Sequence, residues 1–162
     1  MKLKEISHDA VPRALELAER YRLLNEPEQA ESICRDVLAI ESDNQLAIRT
    51  LLLAMGDEFA KRRSMTAQQA TEVANKLSDE YERHYYTGVV LERYARAKMH
   101  ENQPPSMVLD WVHRAMAEYE KAEAIRPAGD DASILRWNTC ARLLERLPKT
   151  EEDERSDVFD YA

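Results

Sequence analysis

The stretch "AMAEYEKAEAIRP", Ala115 to Pro127, sets Ala115, Tyr119 and Ala122 at spacings of four and three residues and closes on Pro127. Those spacings return a side chain to the same face of a helix with 3.6 residues per turn. Small residues at 115 and 122 let a neighbouring helix close in, and Tyr119 fills the space between them. Proline, which cannot continue a helix, forces the chain to turn. The same four, three, five spacing recurs in Ala30, Cys34, Val37 and Ser42, and Ala70, Ala74 and Leu77 give a partial third copy. A longer helical pattern precedes each copy. Ala14, Leu17, Ala18 and Tyr21 form one apolar face, and Ile48, Leu51, Leu52 and Met55 form another 34 residues later.

The rest of the chain agrees with helix throughout. Its 162 residues suit one domain with a real core. Three glycines and six prolines leave long runs of Leu, Ala, Glu and Arg, which are good helix formers. Prolines and polar clusters divide the sequence into about seven helices. The first runs from near Ser7 or Asp9 to Leu24 and the second from Pro27 to Ile40. The third starts at Ser42 or Asp43 and reaches Arg63. Thr66, with Gln69 three residues on, reads as a capping box for a fourth helix reaching Ser78. A fifth spans Glu82 to His100, and Ser106 is positioned to cap a sixth that ends at Pro127. Asp130 or Asp131 caps the seventh, and Pro148 stops it. The helical domain thus covers residues 1–148. In the segment 149–162 the carboxylates of Glu151, Glu152, Asp153, Glu154, Asp157 and Asp160 predict a disordered acidic tail.

On these residues the chain resembles the tetratricopeptide repeat family, whose 34-residue unit is an antiparallel helix pair. The likeness covers Val11 to Leu147 as three helix pairs and a capping helix, with Gly88 near the small position of a first helix. It is looser in the middle repeat, where about six extra residues precede Ala70. The resemblance implies an all-α fold of helix pairs stacked into a short right-handed α-solenoid. One pair cannot bury its apolar face alone, so about three must stack. It further implies that the first helices of successive repeats line a concave groove for a peptide or a partner helix. Position by position, that face carries Leu15, Glu19, Arg22, Arg49, Leu53, Tyr85, Val89, Glu92 and Arg93, with Asn138, Thr139 and Arg142 from the capping helix. One subclass of the family clamps a C-terminal carboxylate with lysine, asparagine and arginine. Here those positions hold Leu15, Glu19, Thr50, Glu82 and Tyr86, so that clamp is absent.

Charge narrows the function further. A net charge of -8 argues against nucleic acid, which needs a basic face. The run Lys61-Arg62-Arg63 reads as a solvated helix end. No segment approaches the ~20 apolar residues of a membrane span, and the first ten residues carry no apolar leader. Cys34 and Cys140 therefore read as buried thiols in a reducing cytoplasm. No phosphate-binding glycine loop, His-x-x-x-His pair or local nucleophile–base set occurs, so neither catalysis, a metal nor a cofactor is expected. Arg22 has Glu19 and Glu26 at helical spacing, Arg142 has Glu145, and His84 has Glu80. Arg49 and Arg93 have no acidic residue three or four positions away, so they are either paired between helices, plainly solvated, or candidate contacts for an acidic ligand. The expected role is a non-enzymatic adaptor that binds a protein segment. Two alternatives stand beside it: a self-associating homodimeric module, and a small helical enzyme or metal protein built around "RWNTCAR" and His113.

Overall fold

The computed structural model describes residues 1–147. Pro148 and the acidic tail, with the expectations placed on them, lie outside the described residues. Those residues are all-helical: a 3-10 turn, His8–Ala10, leads into α1 (Val11–Leu23), α2 (Pro27–Ile40), α3 (Gln45–Glu58), α4 (Ala67–Ala74), α5 (Glu80–His100), α6 (Pro105–Ala124) and α7 (Ala132–Leu144).

Local chemistry sets the ends of these helices. After α1, Asn25 takes the left-handed conformation (φ 60°), and the amides of Asn25 and Glu26 donate back to the carbonyls of Arg22 and Tyr21. Asn102 (φ 55°) closes α5 in the same way, with the amides of Asn102 and Gln103 on Met99 and Lys98. Both are Schellman closures in which asparagine replaces the usual glycine. The Thr66–Gln69 capping box is present at α4. Other boundaries differ from expectation. Asn44, rather than Ser42 or Asp43, caps α3 by accepting from the Ala47 amide. Asp79 caps α5, and Pro105 itself opens α6 at its first turn, where a missing N–H costs nothing. α3 stops at Glu58 rather than Arg63, and the chain then turns through Phe59–Thr66 to reach the short α4.

Each helix packs on the next in sequence, and the odd-numbered helices also touch one another, α1 on α3, α3 on α5 and α5 on α7. The small–large–small residues lie at these contacts: Ala115, Tyr119, Ala122, Ala30, Cys34 and Val37 are all fully buried. Tyr119 of α6 packs against Gly88 of α5. A Cβ built on Gly88 would stand 2.5 Å from the Tyr119 ring, so only glycine admits the tyrosine there. One core cluster joins α1 to α5 around Ile48, Leu52, Phe59 and Leu77, and another joins α5, α6 and α7 around Val108, Val112 and Tyr119. Tyr94 joins the two, edge-on to Phe59 at 5.2 Å and to Trp111 at 5.0 Å. Burying each large side chain contributes about 2 kcal/mol.

Charged groups are drawn into these contacts. Lys61, Arg62 and Arg63 are exposed just past the end of α3, and Arg62, with its side chain 48% exposed, also donates through Nη1 to the buried carboxylates of Glu31 at 2.9 Å and Glu58 at 3.2 Å. His84 pairs across helices with Glu118 at 2.7 Å rather than with Glu80. Burial opposes ionisation of Glu118, but bonds from Lys121 and His84 outweigh it and hold the carboxyl below the usual glutamate range.

Candidate functional site

α1, α3 and α5 together line a groove of about 380 Å³. α1 supplies Pro12, Leu15, Glu16, Glu19 and Arg22, α3 supplies Leu46, Arg49, Thr50 and Leu53, and α5 adds Tyr86. Helical periodicity explains the α1 set: residues 12, 15, 16, 19 and 22 fall on one stripe of the helix. Leu46 is half exposed, more open than the buried Leu15 and the half-buried Leu53.

Five of the residues expected on the concave face therefore meet in this groove: Leu15, Glu19, Arg22, Arg49 and Leu53. Others are placed elsewhere. Val89 is only 1% exposed and belongs to the core between α5 and α6. Tyr85 turns into an aromatic cluster, stacked on Tyr81 and edge-on to Tyr86, so that Tyr86 reaches the groove instead. Glu92 is 2% exposed and lies beneath the surface. It accepts hydrogen bonds from the Tyr119 hydroxyl at 2.8 Å, Arg96 at 3.1 Å and Arg136 at 3.3 Å, tying α5 to α6 and α7. Asn138, Thr139 and Arg142 stand on α7, outside this groove. Thr139 turns its hydroxyl back onto the Leu135 carbonyl, and Arg142 is exposed.

For the arginines the structure selects pairing between helices. Arg49 donates to both oxygens of Glu82 at 2.9 and 3.0 Å. Arg93 donates to Asp57 at 2.6 Å and to the Leu53 carbonyl at 2.8 Å, its side chain crossing Gly56, where a Cβ would meet it at 2.6 Å. Arg22 ignores Glu19 and Glu26 and donates to the other oxygen of Asp57, through Nε at 3.0 Å and Nη2 at 2.9 Å. Burial holds the Arg93 guanidinium below the usual arginine range, and Asp57 offsets part of that shift. Arg22, Asp57 and Arg93 thus form one ladder across α1, α3 and α5. Neither Arg49 nor Arg93 is the free cation that helical spacing allowed.

The side-chain partners stand 33 to 36 residues away along the chain. The separations are 33 residues for Arg49–Glu82, 35 for Arg22–Asp57, 36 for Arg93–Asp57 and 34 for His84–Glu118. Gln45 meets Ser78 at 33 and His8 meets Glu41 at 33. Spacings of three and four residues along one helix do not reveal such pairs, which join different helices.

The thiols offer no comparable site. Cys140 and Cys34 are fully buried, and burial pushes each up to about 12, which keeps them protonated near neutral pH. Among the described residues no group of three His, Cys, Asp or Glu is placed to hold a metal ion, and no helix is long and apolar enough to cross a membrane. Set against family models, curated proteins and solved structures, the chain matches none.

Proposed function

We propose that the chain is a tetratricopeptide-like array of helix pairs, a short right-handed solenoid without catalysis of its own, and that its concave groove holds a segment of a partner protein. The observation that carries this reading is the composition of the groove, which α1, α3 and α5 build without help from α2, α4 or α6. Two further features support it. The odd-numbered helices touch one another along the chain, as the inner layer of a solenoid does, and polar contacts recur between residues one repeat apart. Apolar floor residues flanked by satisfied charges suit a protein ligand, for which leucine and tyrosine supply affinity and the rim supplies register.

Photo-crosslinking tests the proposal. A photoreactive residue at position 46, in the groove mouth, is compared in cells with one at position 68, exposed on α4. Adducts formed from position 46 and not from 68 are expected. The same adducts from both positions, or none from 46, count against the groove. An adduct at twice the chain mass identifies a second copy as the occupant.

A further inference from the structure

We infer that the groove accepts an apolar segment carrying a basic residue, rather than an acidic one. This rests on the groove reading above and adds the chemistry of the ligand. Cations in the groove are already engaged: Arg22 and Arg49 keep side-chain exposures of only 18% and 29%, and Asp57 and Glu82 satisfy them from inside the fold. An incoming carboxylate would have to displace those half-buried carboxylates, leaving them without their partners. The accessible charges are of the opposite sign. Glu19 is exposed and makes no ion pair among the described residues. Glu16 is 66% exposed, and its partner Arg13, on the adjacent turn, is more exposed still. An exposed pair of that kind holds weakly and exchanges readily for a cation on a ligand. Leu46, half exposed beside them, supplies the apolar anchor. A net charge of -8 adds a long-range field that favours a cationic segment on approach.

A display library of random peptides, selected on the full chain and counter-selected on its Leu46→Asp variant, provides the test. Position 46 lies in the first turn of α3, where an aspartate favours the helix, so the variant keeps its fold. Groove-dependent peptides are expected to be enriched in Leu or aromatic residues together with Lys or Arg. The Glu16→Gln, Glu19→Gln double variant should bind the synthesised peptides roughly fivefold more weakly by fluorescence anisotropy. That loss should fade as salt is raised. Groove-dependent peptides enriched in Asp or Glu, or affinities unchanged in the double variant, overturn the inference while leaving the groove in place. If no recovered peptide depends on Leu46, the groove reading itself falls, and this inference with it.

Discussion

Replacing Asp57 with asparagine should cost far more stability than a surface substitution. Asp57 answers two guanidinium groups at once, with Arg22 on one oxygen and Arg93 on the other. Their side chains are only 18% and 22% exposed, and that of Asp57 is 29% exposed. An asparagine in its place would carry no charge and present only one acceptor, leaving two half-buried cations side by side. Charge-assisted bonds contribute about 1.5–3 kcal/mol each. Stripping a fully buried charge of its partner costs about 3–5 kcal/mol, while exposed pairs count for under about 1. Intermediate exposure puts the loss at about 2–3 kcal/mol. In urea, with a slope of about 1–3 kcal/mol per molar, the midpoint should fall by roughly 1–2 M. Arg93→Met keeps a flexible apolar side chain across Gly56 and should cost less, because Asp57 retains Arg22. Combined with Asp57→Asn, it should restore part of the loss, a coupling above about 0.5 kcal/mol. A midpoint shift below about 0.3 M for Asp57→Asn, or full additivity in the cycle, would refute the ladder.

Two further outcomes follow from the packing. Glu58 is buried with one oxygen lacking a partner. Burial raises its carboxyl above the ordinary value of 4.5 and the neighbouring Glu31 adds to this, against the opposing bond from Arg62. A carboxyl raised in the folded state binds more protons there than in the unfolded chain, so stability falls as pH climbs from 4.5 through the raised value. Glu58→Gln should flatten that decline in urea unfolding measured across pH; parallel curves for the two proteins would contradict the assignment. Gly88→Ala, though better for helix propensity by about 1 kcal/mol, drives a methyl into the Tyr119 ring. Overpacking and strain on the Tyr119–Glu92 bond should produce a net loss of about 1–2 kcal/mol, seen as a lower Tm, and adding Tyr119→Leu should recover part of it. An unchanged or raised Tm in Gly88→Ala would show that the helices are not held this closely.

The sequence by itself determined the all-helical class and some of the faces the helices bury. Spacing alone placed Ala115, Tyr119 and Ala122 at a helix contact, and the Thr66–Gln69 box marked the start of α4, because both depend on residues within one or two turns of each other. Part of the groove was legible for the same reason: Leu15, Glu19 and Arg22 share a stripe of α1 whatever packs beside it. Only the tertiary structure decided which charges were free. Arg49 and Arg93 look unpaired along their own helices, yet Glu82 and Asp57 reach them from the next helix layer, 33 and 36 residues away. It likewise sent Val89 and Glu92 into the core and put Tyr86, not Tyr85, in the groove, since a long helix packed on several neighbours has no single exposed face. Helix formation is local and reads from local spacing. Ion pairing and burial depend on how helices pack, and packing joins residues more than thirty positions apart.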